Sequence, residues 1–286
     1  MIYTCFEMIR DCRADVPAGW RFFVRQYAPV IEKLLARYGN GEARREPVLA
    51  ALRRPESGLF QILEPAPERP FVAELRQRVL AEIAQPAAEA ELTLAAVEQA
   101  LEPLTLVEKQ AGWLEGMHYT PAETGEMLRM SALTVEKIRG RAGELIRGQV
   151  DVWNSRLLAE NGRALGKAAC AAAGKDCLPA KAFLDVLDGR ATWRGREQME
   201  LHVRGCFNCI DYFCRLVEAV ELLRRHRPLT GEQAAPLDRL LGIAEEKPGG
   251  WRRWFGGRLW GSRNRFILRS KELPCRRRCW CLPVWL

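Results

Sequence analysis

Apolar residues recur three and four positions apart along most of the chain, the spacing of one buried face of an α-helix. In PAGWRFFVRQYAPVIEKLLARYG, the residues Trp20, Phe23, Val24, Tyr27, Val30, Ile31, Leu34 and Leu35 share such a face, and Gly39 ends the run. A Pro-punctuated stretch follows, RRPESGLFQILEPAPERP, and helical spacing resumes at about Phe71. The same period runs through VLAEIAQPAAEAELTLAAVEQALEPL and FCRLVEAVELLRRH, whereas strand-favouring runs are scarce. The expected fold class is all-α.

The clearest local pattern lies between residues 86 and 155. A helix in LTLVEKQAGWLEGM precedes YTPAETGEMLRMSALTVEKIRGRAGELIRG, where Thr120 and Pro121 suit the cap and first turn of a short helix ending near Met130. Ser131 caps a second helix whose apolar face is Val135, Ile138, Ala142 and Leu145 or Ile146. Two short amphipathic helices joined by a tight turn make a helix-turn-helix. Thr134, Lys137, Arg139 and Arg141 fall away from that apolar face. On a DNA-binding motif, Thr134 and Lys137 stand where base edges are read and the arginines where phosphates are met. The alternative is an ordinary helical hairpin with a solvated basic face.

Residues 156–176, rich in Ala and Gly and without an apolar stripe, read as a linker. From Cys177 a three-helix unit follows: Gly189 stops the first helix, the second runs into His202 and the third starts at about Cys206. LTGEQAAPLDRLLGI supplies a fourth helix.

Composition adds location. The hydrophobic content of 48% and charged content of 28% exclude a disordered chain, and 286 residues leave room for two or three small domains. The formal charge of +8 is not spread evenly: residues 251–286 carry nine Arg and one Lys against a single Glu. No export signal or membrane-length apolar run is recognisable, so a reducing cytoplasm is the expected compartment. There, cysteines at ligand spacing signal metal or redox chemistry rather than a disulfide frame. No nucleophile–base pair, phosphate-cradling glycine loop or paired carboxylates stand out, so no enzymatic activity is expected.

The segment HVRGCFNC places His202, Cys206 and Cys209 in an H-x3-C-x2-C spacing, in a chain with three histidines. Zinc in structural sites takes four Cys or His ligands in a tetrahedron. The C-x2-C half offers two thiolates from a helix start, where amide dipoles favour negative sulfur. Cys177, which opens the unit, is the best-placed fourth ligand, with Cys170 and Cys214 as competitors. A closed four-ligand set leaves no coordination position for water, which argues for folding or control rather than catalysis.

Two family resemblances follow from these motifs. The stretch LDVLDG followed by MELHVRGCFNC resembles the zinc-binding anti-sigma domains, with Val203 in place of their usual leucine. That likeness implies zinc held by Cys177, His202, Cys206 and Cys209. The block PAETGEMLRMSALTVEKIRGRAGELIR resembles region four of ECF-type sigma factors, on Ala122, Leu128, Ser131, Thr134-Val135 and Arg141-Ala142. That likeness implies promoter DNA and RNA polymerase core as partners. Together they imply a degenerate region-two-like domain over residues 1–85 and a region-four-like domain over 86–155. After the linker come an anti-sigma-like zinc domain over 177–230 and a short helix with a tail over 231–286. In the degenerate domain EPVLAALRRPESGLFQIL stands where the family's acidic polymerase-docking segment is expected. The other reading of the whole is an anti-sigma module that sequesters a sigma factor in trans. The tail interleaves five Trp with its arginines, a pattern suited to an anionic membrane surface or to nucleic acid, or to packing back on the protein.

Overall fold

The computed structural model describes residues 3–39, 44–61, 68–83, 93–147 and 157–243. Thirteen α-helices and no strand occur among the described residues, as the apolar spacing predicts. Helix α1 (Cys5–Arg13) begins with a reciprocal cap: the Thr4 hydroxyl accepts from the Glu7 amide and the Glu7 carboxylate accepts from the Thr4 amide at 2.8 Å. Pro17 opens α2 (Pro17–Arg37), and the eight apolar residues expected on its inner face are all buried. Helices α3 (Arg45–Arg53) and α4 (Glu68–Glu82) complete an aromatic core in which Phe60 meets Trp20 edge-on at 4.9 Å and Phe71 meets Tyr27 at 5.0 Å.

Pro29 lies inside α2 and has no N–H to give to the Arg25 carbonyl. The backbone amide of Leu229, two hundred residues away in sequence, donates to that carbonyl at 2.9 Å. A local defect in α2 thereby becomes an attachment point for the C-terminal part of the chain.

Helices α5 (Leu94–Leu101), α6 (Leu106–Gly116), α7 (Pro121–Leu128) and α8 (Ala132–Arg147) follow. The expected caps are present: Thr120 accepts from the Glu123 amide, and Ser131 Oγ accepts from the Thr134 amide at 3.1 Å. The turn between α7 and α8 passes through Arg129 in the left-handed region, at φ 58°. Gly125 closes it, because a Cβ there would lie 2.6 Å from the Met130 carbonyl oxygen.

The predicted linker is corrected by the structure: α9 (Leu157–Ala171) occupies most of it and packs on α6. Small residues give a weak periodic signal, yet they let two helix axes approach closely. A Cβ at Gly162 would sit 1.8 Å from the Gly116 carbonyl oxygen, so the backbones themselves form the contact, with Leu165 and Ala169 buried alongside. Gly162→Ala is expected to force the pair apart and cost about 3 kcal/mol in urea unfolding; a change under about 0.5 kcal/mol would show that the contact is not tight.

Helices α10 (Ala180–Leu187), α11 (Trp193–Gly205), α12 (Phe207–Arg224) and α13 (Gly231–Leu240) match the expected run, with Gly189 left-handed at φ 67° after the first of them. They do not form a separate core. Phe207, Ile210, Phe213 and Leu216 of α12 join a core built from α5, α6, α8 and α9 to α11. Ala219 and Leu222, further along the same helix, join the N-terminal aromatic core together with Ala234 and Leu237 of α13. The first core runs to Ile83 before the C-terminal helices rejoin it, and the second, apart from Ala73, begins at Val97. The expected boundary near residue 85 thus falls between them, whereas those near 155 and 177 lie inside the second core. The described residues up to 243 belong to one unit, and residues 245–286 lie outside the described residues.

Three charged residues of α12 are buried at the junction, Asp211, Arg215 and Glu218, at helical spacing on one face. Trp113 Nε1 of α6 donates to Asp211 at 3.1 Å, and Arg215 pairs with the same carboxylate at 2.8 Å. Glu218 lies 2.6 Å from Arg76 of α4 and accepts from the Tyr119 hydroxyl at 2.8 Å, while Arg76 donates to the Tyr38 hydroxyl at 3.0 Å. Burial pushes the Glu218 carboxyl up, against the pull of Arg76 and Tyr119.

Candidate metal centre

Three elements bring the four ligand-type side chains together. Cys177 lies in the loop before α10, where the Gly174 amide donates to its sulfur at 3.3 Å. His202 stands in the last turn of α11, Cys206 is the N-cap of α12, and Cys209 lies in the first turn of α12. The break between α11 and α12 is made by Cys206 itself, whose backbone is extended at φ −126°, ψ 102°. That kink folds His202 back over Cys209, with Nε2 and Sγ 3.2 Å apart, and brings Cys177 and Cys206 sulfurs to 3.9 Å.

All four ligand atoms lie within 4.8 Å of one another, so the group can hold a metal ion. Cys209 is buried and the other three are half-buried. Burial pushes the Cys209 thiol up to about 12, and the Cys206 and Cys177 sulfurs add to the shift, while the Leu178 amide opposes it. A bound cation reverses that balance by taking the thiolate directly. Neither competitor for the fourth position belongs to this group. Cys214 is buried in the second core, and Cys170 is exposed on α9.

Of the four polar residues expected on the helix-turn-helix, three are exposed and Arg139 is turned inward. Thr134 and Lys137 are exposed, although the Thr134 hydroxyl is 2.8 Å from that of Ser131 and takes part in capping α8. Arg139 is not on the open face. Its guanidinium donates to the Tyr119 carbonyl at 2.8 Å and the Thr124 hydroxyl at 2.9 Å, and faces Glu115 at 3.8 Å. The reason is that Thr124 and the end of the preceding loop are buried polar groups in need of a donor. Arg141 is exposed, as Thr134 and Lys137 are, but pairs with Glu108 at 3.3 Å. The accessible apolar residue at the start of α8 is Leu133, 60% exposed, which the helical pattern did not single out.

Another residue absent from the sequence reading is Lys109 on α6. It is 3% exposed and donates from Nζ to the Arg204 carbonyl at 2.7 Å, two residues before Cys206. Within the triplet Glu108-Lys109-Gln110 it looks like part of a solvated face, and no sequence signal marks it as buried.

Comparisons of the chain with protein-family models, curated proteins and solved structures find no match. No helix among the described residues is long and apolar enough to cross a membrane. The Trp- and Arg-rich tail lies outside the described residues.

Proposed function

We propose that the chain is a sigma-factor-like regulator of transcription initiation that binds promoter DNA and RNA polymerase core, and that its metal unit holds zinc and acts in cis as an anti-sigma-like domain. Zinc suits the donor set: bonds of about 2.3 Å to sulfur and 2.0–2.1 Å to nitrogen in a tetrahedron put ligand atoms about 3.5–3.8 Å apart. The 3.9 Å and 3.2 Å separations at Cys177–Cys206 and His202–Cys209 bracket that range.

The observation that carries the regulatory reading is the burial of α12, which begins at the metal ligands, against both halves of the sigma-like part. It meets α4 through Glu218 and Arg76, and α6 through Asp211 and Trp113. The helix-turn-helix is also tied to α2, because Arg37 grips Glu123 with both terminal nitrogens at 3.2 and 2.9 Å and holds its carboxyl down to about 2. In this reading the closed arrangement restrains the helices that engage DNA and polymerase, and release of α12 frees them. Thr134 and Lys137 then face the DNA from the start of α8, while Arg139 and Arg141 hold the hairpin angle.

The full chain, with metal and after chelation, tests this with labelled duplex promoter DNA and with core polymerase. Binding to both should rise at least severalfold on release. Lys137→Ala should lower the salt slope by about one. The internal pairing of Arg139 and Arg141 favours a second reading, the anti-sigma module acting in trans. Capture of free sigma factors, with neither DNA nor core polymerase bound in either state, would select it.

A further inference from the structure

We infer that Lys109 is the charge partner of the metal centre, and that it couples occupation of that centre to the packing of the helix-turn-helix. The inference rests on the metal reading above and on no assumption about DNA. A dication held by three thiolates and a neutral imidazole leaves a net charge of −1 in a half-buried site. Such a charge needs a nearby compensating group or a strong cost follows.

Lys109 supplies one of the opposite sign. Its ammonium is buried; among the described residues no carboxylate lies within ion-pair distance, and Glu102 and Glu98 attract it from further away while Arg204 opposes them. Its hydrogen bond ends on the Arg204 carbonyl in the last turn of α11, between His202 and Cys206. It also lies 5.8 Å from the centre of the Phe207 ring, which follows Cys206 directly. The same helix carries Trp113, edge-on to Phe207 at 5.4 Å. A buried cation with one carbonyl, one ring and two glutamates beyond ion-pair distance is only partly compensated, the more so with Arg204 nearby. A metal–thiolate centre at the adjoining ligands would add negative charge on the side that the glutamates leave uncompensated.

The adjoining face of α6 supports α8. Gly112 lies under Ala142, where a Cβ would be 4.0 Å away, Glu108 pairs with Arg141 and Glu115 faces Arg139. One helix of eleven residues thus contacts the ligand-bearing turn and the second helix of the helix-turn-helix. Loss of the metal leaves Lys109 buried without its counter-charge, and α6 relieves this by letting the ammonium reach water. That shift withdraws the support of α8. By linkage, the factor by which metal tightens α8 equals the factor by which an ordered α8 tightens metal binding.

Zinc affinity of the full chain, measured by competition with a chromogenic chelator, and amide exchange along α8 test the coupling. Lys109→Met should bind zinc about tenfold more weakly, while Lys109→Arg, which keeps the charge, stays within about threefold of wild type. A lysine with only a packing role predicts equal loss of stability with and without metal. A charge partner predicts that Lys109→Met is harmful with metal and neutral or stabilising without it. In wild type, stripping zinc should speed exchange along α8 by at least about tenfold. Unchanged α8 exchange on zinc removal, or tight zinc binding by a folded Lys109→Met, overturns the coupling alone. A wild-type chain that takes up no zinc overturns it together with the metal reading. Should Lys109→Met fail to fold, the wild-type exchange measurement decides.

Discussion

Cys206→Ser is expected to lose its metal and to melt about 10–20 °C below wild type in the same buffer. The estimate takes roughly half of the ~10 kcal/mol that zinc contributes to small zinc-folded units, since other packing supports this one. At about 2–4 °C per kcal/mol for a chain of this size, the loss falls in that range. Serine is a better N-cap than cysteine, so the loss cannot come from the start of α12. Because α12 lies in both cores, the unfolding transition should shift as a whole and not split. Chelation of the wild type should reproduce the shift, measured by calorimetry alongside metal content. A variant that keeps its metal, or melts with the wild type, would remove Cys206 from the ligand set.

The second large effect is expected at the α4–α12 ion pair. Arg76→Ala leaves the Glu218 carboxylate buried without its cation and should cost about 3–5 kcal/mol in urea unfolding. Replacing both, as Arg76→Met with Glu218→Leu, removes the unpaired charge and should recover much of that. Recovery stays incomplete because the Tyr119 hydroxyl loses its acceptor, and adding Tyr119→Phe should restore most of the remainder. A single variant within about 0.5 kcal/mol of wild type would show that water reaches Glu218 and that the junction is not sealed. The triple variant also bears on the proposed regulation. An apolar junction is harder to hydrate than an ionic one, so the closed arrangement should open less readily.

Much of the helical layout was legible along the chain. Thr120-Pro121, Ser131, Gly39 and Gly189 mark helix ends by local hydrogen bonding and backbone freedom, which neighbouring residues control directly. The H-x3-C-x2-C spacing is equally local, since one helix end and the next helix start carry three of the ligands. Cys177 was the best-placed fourth ligand with Cys170 and Cys214 as competitors, and the folded loop before α10 is what brings Cys177 to the other three. Arg139 was misplaced for a related reason. A polar residue opposite an apolar stripe is read as solvated, whereas here a buried carbonyl and hydroxyl draw its guanidinium inward.

The same contrast separates helix positions from their assembly. By itself the sequence determined the helical class, most helix ends and three candidate ligands, because caps, breakers and short ligand spacings act over a few residues. The tertiary structure alone decided that α9 is a close-packed helix, that α12 bridges two cores and that Lys109 is buried beside the ligand-bearing turn. Those outcomes depend on backbone approach at Gly162 and on charges satisfied across gaps of roughly a hundred residues, such as Tyr119–Glu218 and Lys109–Arg204. No periodicity within one helix encodes a partner that distant; it is set when the surfaces meet and the buried polar groups must find each other.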